Sequence, residues 1–231
     1  MGWSMKFPFC FRAYGVQSVW LKVAAIICLT FPAAAEVSVL ALGDSLTQGY
    51  GLPPDQGFVP QLEEWLTAQG AEVSLTNGGV SGDTTAGGLS RVAWSLTPGT
   101  DVMLVALGGN DLLRGIDPDV ARANLDGILA TADAEGVAVL LIGMSAPGNY
   151  GADYKVRFDR MYPDLAEKWG VPLVTDFLGA LRDAGATDDS LRDYVQPDGI
   201  HPSAVGVELI VNAVGPEVLA LVEATGNVNP D

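Results

Sequence analysis

Cysteine and histidine are scarce in this chain of 231 residues, and each shortage excludes a kind of chemistry. Its two cysteines, Cys10 and Cys28, lie within the first 35 residues, so the remainder has no thiol for a disulfide, a metal or nucleophilic attack. The carboxylates do not surround the one histidine, His201, with ligand spacing, and we expect no metal. We expect no cofactor either, because the turns lack the G-x-G-x-x-G and G-K-[ST] patterns of nucleotide sites.

The first 35 residues differ in charge from the rest of the chain. They contain Lys6, Arg12 and Lys22 but no acidic residue, and the apolar run VAAIICLTF (23–31) and three alanines follow. This order is typical of a secretory signal peptide, so we expect cleavage after Ala35 and export, into the periplasm. The alternative is a retained membrane anchor, but a spanning helix needs ~20 apolar residues and Lys22 interrupts this run.

Basic residues are few in the expected mature domain, residues 36–231. Without the three in the leader, 9 Lys and Arg stand against 28 Asp and Glu, a formal charge of −19. Such a surface repels nucleic acid and anionic membrane faces. We therefore expect no nucleic-acid partner and, after cleavage of the leader, no stable membrane insertion, while the oligomeric state stays open.

Short apolar runs alternate with segments of helical periodicity from residue 37 onward. An Asp117-Pro118 pair is typical of a helix start, and we expect a C-terminal helix from Pro202 that breaks or kinks at Pro216. This alternation predicts an α/β fold with a parallel sheet wrapped by helices. The five predicted strands are VSVLAL (37–42), AEVSLTN (71–77), DVMLVAL (101–107), VAVLLIG (137–143) and PLVTDF (172–177).

Turns rich in glycine and small polar residues follow the first four strands: GDSLTQG, NGGVSGDTT, GGNDLLRG and MSAPGNYG. Functional groups gather at this carboxyl edge of a parallel sheet. Ser45 in the first turn is either a nucleophile or only a polar residue that caps the element after the strand. We interpret the adjacent Asp44 as a residue that ties down its own turn.

The histidine supplies a candidate base for Ser45. His201 lies in PDGIHPSAVG, and Asp198 precedes it by three residues across a turn that contains glycine. The Asp198 carboxylate can hold one imidazole nitrogen and leave the other free to accept the serine proton. A histidine at a helix start is otherwise often a surface or capping residue.

Acyl transfer also requires donors for the oxyanion, and three candidates lie at the same edge. They are the backbone N–H groups of Ser45 and Gly82 and the side-chain amide of Asn110. Asn110 could instead bond its own turn. We interpret Asp83 and Asp111 as caps of the helices that follow them.

Together these motifs resemble those of the SGNH, or GDSL, hydrolase family. GDSLTQGYG, SGDTT, GGND and DGIHP are similar to four blocks of that family, in the same order, and the resemblance covers nearly the whole mature chain. It implies a three-layer α/β/α sandwich, flavodoxin-like, with a five-stranded parallel sheet in the order 2-1-3-4-5. It also implies Ser45 as nucleophile, His201 as base and Asp198 as its support, with oxyanion donors at Ser45, Gly82 and Asn110.

The resemblance implies a serine esterase that acts on small-molecule carboxylic esters and thioesters, among them aryl esters, lysophospholipids and acyl-thioesters. Within the family the chain is most similar to small secreted thioesterases, lysophospholipases and arylesterases. A carbohydrate acetyl esterase of the same fold and a non-catalytic binding module remain alternatives. Apolar residues of two loops could line an acyl pocket or merely anchor those loops: Leu112, Leu113, Ile116, Pro147 and Tyr150.

Overall fold

The computed structural model describes residues 1–5, 36–184 and 192–226. Residues 1–5 are exposed and have no regular secondary structure. Both cysteines, the apolar run of the expected signal peptide and its cleavage site lie outside the described residues. The signal peptide therefore stays a prediction.

A parallel sheet of five strands forms the centre of the fold. The strands lie in the order β2-β1-β3-β4-β5, with Gly43 paired to Gly79 on one side and to Ala106 on the other. The carboxyl ends of β1, β2 and β3 are thus level with one another. The predicted fold class and strand order are confirmed. The strands are β1 (Val37–Gly43), β2 (Val73–Gly79), β3 (Val102–Ala106), β4 (Ala138–Ile142) and β5 (Leu173–Val174).

Two strands differ from their predicted spans by more than one residue at an end. The predicted span 71–77 starts too early, because the Ala71 N–H donates to the Leu66 carbonyl at a helix end, and β2 extends instead through two glycines paired with β1. The last strand is shorter than 172–177. Pro172 has no N–H for the ladder, and Asp176 accepts a hydrogen bond from the Leu178 N–H in the turn after the strand.

Helices cover the sheet in two layers, so β3 is buried along its whole length, as uninterrupted apolar strands require. In one layer α2 and α8 pack together, and in the other α3, α5 and α6 form a row. A 3₁₀ turn, Gly148–Tyr150, precedes α6. The helices are α1 (Ser45–Gln48), α2 (Phe58–Ala68), α3 (Thr85–Ser95), α4 (Gly109–Leu113), α5 (Pro118–Ala134), α6 (Ala152–Trp169), α7 (Gly179–Ala184) and α8 (Ala204–Gly226).

The C-terminal helix corrects two expectations. It starts at Ala204 rather than Pro202, because Pro202 pairs with Val195 in a β-bridge and Ser203 Oγ accepts from the Gly206 N–H. It is also continuous through Pro216, where the sequence suggested a break or a kink, so the break does not occur. The buried side of α8, which packs on the core, offsets the one missing helix hydrogen bond. Among the described residues, α8 alone has the length and hydropathy of a membrane-spanning helix, and its buried valines account for much of that hydropathy.

Candidate active site

Ser45 begins α1 directly beyond the end of β1. Asp44 caps this helix, because its Oδ1 accepts a hydrogen bond from the Leu46 N–H at 3.0 Å, so the predicted role of Asp44 within its own turn is confirmed. The helix lies against the end of β2, where a β-carbon on Gly79 would overlap the backbone nitrogen of Gln48. This close approach holds the serine hydroxyl at the carboxyl edge of the sheet.

The imidazole of His201 lies between Ser45 and Asp198. Its Nε2 is 2.9 Å from Ser45 Oγ, and its Nδ1 is 2.6 Å from Asp198 Oδ2. In the tautomer protonated on Nδ1, the ring donates to the carboxylate and its Nε2 lone pair faces the serine hydroxyl. Residues 156 positions apart in the chain therefore meet in the geometry that proton transfer requires.

The loop around Asp198 keeps this carboxylate charged. Its Oδ1 accepts hydrogen bonds from the N–H groups of His201, at 3.0 Å, and Ile200, at 2.9 Å. The backbone N–H of His201, then its ring, then the N–H of Ile200 lower the pKa of Asp198 to about 2. The group facing the imidazole is thus an anion throughout the neutral range.

Gln196 fastens the histidine loop to the turn that follows Ser45. Its Nε2 donates to the carbonyls of Tyr50, at 2.8 Å, and Pro202, at 2.9 Å, and its backbone N–H donates to the His201 carbonyl at 2.7 Å. The Tyr50 ring also lies on the imidazole, with centroids 4.6 Å apart. These contacts restrain the ring that faces the serine.

The three candidate oxyanion donors line one cavity together with His201. Gly82 has a φ of +80°, a conformation that favours glycine, and its carbonyl accepts a hydrogen bond from Arg114 Nη2 at 2.8 Å. Within the described part of the chain, no protein group accepts a hydrogen bond from the Gly82 N–H. That N–H is therefore available to a ligand in the cavity.

Asn110 bonds across the site and not within its own turn. It lies on α4, and its Nδ2 donates to Asp44 Oδ2 at 3.1 Å. The Asp44 side chain is only 2% exposed, and this burial raises its pKa to about 6, although the hydrogen bonds from Leu46 and Asn110 oppose the rise. The turn of Ser45 and the turn of Asn110 are thus joined through one buried carboxylate.

Asp111 does not cap the helix that follows it. The carboxylate is buried and accepts hydrogen bonds from Thr85 N at 2.8 Å and Thr85 Oγ1 at 2.6 Å, at the start of α3. The helix that follows, α5, begins instead at Asp117-Pro118, as predicted, with Asp117 accepting from the Asp119 N–H. Asp111 therefore connects the turn that follows β3 to the segment that follows β2.

Asp83 is likewise not the cap of its following helix. Thr84 caps α3, while Asp83 Oδ2 accepts a hydrogen bond from Arg91 Nε at 2.7 Å. The same guanidinium donates to the Gly43 carbonyl at 2.9 Å. This pair links the second turn to the last residue of β1, close to the serine.

A cavity of about 340 Å³ opens beside Ser45 and His201. Of the charged side chains on its wall, Asp176 and Arg182 form an ion pair with each other. Within the described ranges, no three His, Cys, Asp or Glu side chains cluster as metal ligands would. Most of the larger side chains on the wall are apolar or aromatic: Leu46, Tyr50, Leu112, Leu113, Met144, Leu178 and Ile200.

The predicted substrate residues divide into two groups. Leu112 and Leu113 line the cavity, whereas Ile116, Pro147 and Tyr150 are not on its wall. Tyr150 donates from its hydroxyl to the Leu113 carbonyl at 3.2 Å, and the Ile116 carbonyl accepts from the hydroxyl of a second tyrosine. Ile116 and Tyr150 therefore lie outside the cavity and take part in hydrogen bonds to the backbone of the segment that contains Leu112 and Leu113.

Sequence reasoning missed part of this wall, although two signals pointed to it. Leu178 and Asp176 follow the fifth strand, whose turn belongs to the same carboxyl edge as the other four. Ile200 is the immediate neighbour of His201 in the chain. Met144 is the first residue of the predicted turn MSAPGNYG after the fourth strand, but its apolar side chain resembles those of the core.

The fold and the hydrogen-bonded series of serine, imidazole and carboxylate define the class of the protein as a serine hydrolase. The family model described as "GDSL-like Lipase/Acylhydrolase family" matches residues 41–209. The chain belongs to this family, and the predicted resemblance is confirmed.

Known relatives cover most of the chain. The esterase TesA of Pseudomonas aeruginosa is 36% identical over 198 residues, which are 85% of this chain and 94% of TesA. An Escherichia coli protein named thioesterase 1/protease 1/lysophospholipase L1 is 33% identical over 199 residues, 85% of this chain and 90% of its own. The crystal structure of AlinE4, an SGNH-hydrolase family esterase, is 43% identical with a TM-score of 0.66, covering 80% of this chain and 96% of AlinE4.

Proposed function

We propose that this protein hydrolyses carboxylic esters and thioesters of small molecules through an acyl-enzyme on Ser45. The observation that carries the proposal is the continuous hydrogen-bond series from Ser45 Oγ through His201 to Asp198, with distances of 2.9 and 2.6 Å. A serine hydroxyl is a weak nucleophile by itself and needs an adjacent base to remove its proton. The names of the relatives, an esterase and a thioesterase among them, support the same chemistry.

In the first half of the reaction, Ser45 Oγ attacks the carbonyl carbon while His201 Nε2 takes its proton. The negative charge moves to the carbonyl oxygen, where the N–H groups of Ser45 and Gly82 and the Asn110 amide donate hydrogen bonds. The Asp198 carboxylate stabilises the imidazolium without accepting its proton. The C–O or C–S bond then breaks as the imidazolium gives its proton to the leaving alcohol or thiol.

The second half returns the enzyme to its starting state. A water molecule gives a proton to His201 Nε2 and attacks the acyl-serine carbonyl, and the same donors hold the second oxyanion. The imidazolium returns the proton to Ser45 Oγ as the carboxylic acid leaves. One histidine therefore acts as base and then acid in each half, without a second titrating group.

The wall of the cavity favours a substrate with an apolar acyl chain. Leucine, methionine and isoleucine side chains face the space next to Ser45, whereas hydroxyl-rich sugars need several directed polar partners. We therefore favour aryl esters, lysophospholipids and acyl-thioesters as substrates over acetylated carbohydrates. We also propose that residues 1–35 are a cleaved export signal and that the single hydrolase domain, 36–231, works in the periplasm, which N-terminal sequencing of the periplasmic protein tests.

A hydrolysis panel on the purified protein tests the proposal. It combines p-nitrophenyl esters of increasing acyl length, an acyl-thioester, a lysophospholipid and an acetylated sugar. We expect turnover of the first three kinds, and a decrease of about 10⁴-fold or more in Ser45→Ala and in His201→Ala. A fluorophosphonate probe should label Ser45, and faster turnover of the acetylated sugar would favour the carbohydrate acetyl esterase.

Ser81→Ala is the matched control for the nucleophile. The Ser81 hydroxyl also faces the cavity, but it donates to Gln48 Oε1 and has no imidazole partner. This variant should keep both turnover and labelling. If wild-type Ser45 forms no adduct, or if Ser45→Ala turns over ester at the wild-type rate, the protein is not the serine hydrolase proposed.

A further inference from the structure

The buried carboxylate of Asp44 divides its two oxygens between two elements of the site. We propose that Asp44 is a positioning residue that sets the orientation of the Asn110 side-chain amide so that its nitrogen, and not its oxygen, serves the oxyanion. This inference rests on the proposed function, because it assumes that Asn110 donates to the oxyanion. It adds a residue to the site that does not itself touch the substrate carbonyl.

The geometry gives each oxygen one partner. Oδ1 accepts from the Leu46 N–H at 3.0 Å, and Oδ2 accepts from Asn110 Nδ2 at 3.1 Å. The side chain is 2% exposed, so bulk water competes little for either oxygen. The contact with Asn110 spans 66 positions of the chain and joins α4 to the turn of Ser45.

The chemistry of the two groups decides which way the amide faces. An ionised carboxylate only accepts hydrogen bonds, whereas the asparagine side chain has a donor end and an acceptor end. With Nδ2 toward Asp44, one of its two protons is used and the other remains for the cavity. The flipped amide would place its carbonyl oxygen against the carboxylate, an unfavourable contact between two acceptors in a buried site.

Capping of α1 does not by itself require a carboxylate. Asparagine and serine are equally common caps, since a cap needs one acceptor atom. Burying a charged group is unfavourable, and the raised pKa of Asp44 reflects that. A neutral cap would avoid this penalty, so the second, acceptor-only oxygen must serve another purpose, and its one partner among the described residues is the Asn110 amide.

Asp44→Asn tests the inference, because it retains the cap and replaces one oxygen with a donor. The new amide would face Nδ2 of Asn110 and favour the flipped orientation. We expect kcat on p-nitrophenyl butyrate to fall about 10²- to 10³-fold, as on loss of one oxyanion donor, with KM changed less than about 3-fold. Asn110→Ala should reduce kcat by a similar factor. The kcat of the double variant should be less than about 3-fold below that of Asn110→Ala.

Two outcomes separate failure of the inference from failure of the proposed function. If Asn110→Ala keeps the wild-type kcat, Asn110 is not an oxyanion donor and that part of the proposed function is wrong. If Asn110→Ala loses activity but Asp44→Asn does not, or if the two losses multiply in the double variant, Asp44 does not act through Asn110. Either of these last results overturns the inference alone.

Controls guard against a merely structural effect. Asp117→Asn changes another helix-capping aspartate, which accepts from the Asp119 N–H and is not on the cavity wall, and should leave kcat unchanged. Circular dichroism verifies that each variant is folded. If Asp44→Asn does not fold, Asp44→Ser replaces it, because serine keeps the cap and lacks the second oxygen. The kcat of Asp44→Ser, alone and combined with Asn110→Ala, is then judged by the same limits as the kcat of Asp44→Asn.

Discussion

Replacing Asp44 with asparagine should make the protein more stable at neutral pH while it impairs catalysis. The folded protein holds this carboxyl group almost entirely out of water, where its charged form is disfavoured. Asparagine has nearly the same shape and never carries the charge. The variant therefore removes an electrostatic penalty that the wild-type protein bears whenever Asp44 is ionised.

The size and sign of the effect follow from the pKa of Asp44. A rise from 3.8 to about 6 corresponds to about 3 kcal/mol, at about 1.4 kcal/mol per pH unit. Because the folded pKa is the higher one, the folded state binds the proton more tightly, and this contribution to stability is complete below pH 3.8. It is lost as pH rises through about 6. Above that pH, Asp44→Asn should exceed wild type by about 3 kcal/mol more than at low pH.

Urea unfolding of both proteins at pH 4, 5, 6, 7 and 8 measures this difference. Any constant effect of the altered contact with Asn110 cancels when differences at two pH values are compared. The contribution of Asp198 to the free energy of unfolding also cancels, because both proteins contain this residue and its pKa lies at about 2. Thermal unfolding should show the same trend, with a gain of roughly 6–12 °C at neutral pH relative to the acidic end.

A stability difference that does not change between pH 4 and pH 8 would refute the reasoning, and so would one that narrows as pH rises. Asp117→Asn supplies the contrast. The pKa of Asp117 is lowered, mainly by the hydrogen bond from the Asp119 N–H, so its carboxylate stabilises the fold when charged. Asp117→Asn should therefore not be more stable than the wild-type protein at neutral pH.

Two further predictions concern the support of the histidine and the core. Gln196→Ala removes the hydrogen bonds that join Tyr50 to Pro202, and we expect kcat/KM to fall about 10-fold, with a deeper loss in Gln196→Glu, whose carboxylate would face two carbonyls. Steady-state kinetics checks both variants, and wild-type values in both would show that the contact is dispensable. Tyr162→Phe removes the buried hydroxyl that donates to the Leu107 carbonyl at 2.9 Å; urea unfolding should show a loss of about 1–3 kcal/mol, and an unchanged midpoint would contradict it.

Much of the fold was predictable because its central strands are almost entirely apolar. β1, β3 and β4 are recognisable from composition alone, since a strand covered on both faces has no polar side to mark it. The exceptions lie where tertiary contacts outweigh local preference. β2 runs on through two glycines that resemble a turn, because β1 offers them a ladder, and α8 continues through Pro216, because its buried side packs on the core.

The candidate site was predictable in its residue types and less so in its connections. Ser45, Asp198 and His201 could be assigned because each sits in a short motif at a strand end or before the last helix. The bonds from Asp44 to Asn110 and from Asp111 to Thr85 cross between turns that are distant in the chain. A local pattern can identify an aspartate as a cap, but it does not contain the partner that folding brings to its second oxygen.

The position of His201 immediately before α8 has a consequence for when the enzyme becomes active. The proposed nucleophile is made early in synthesis, on the turn after the first strand, while its proposed base takes its place only when α8 docks against α2. A nascent or truncated chain would hold an inert serine and could not attack acyl groups of its own cell during biogenesis. Ester turnover would then report that α8 has docked against the sheet and α2.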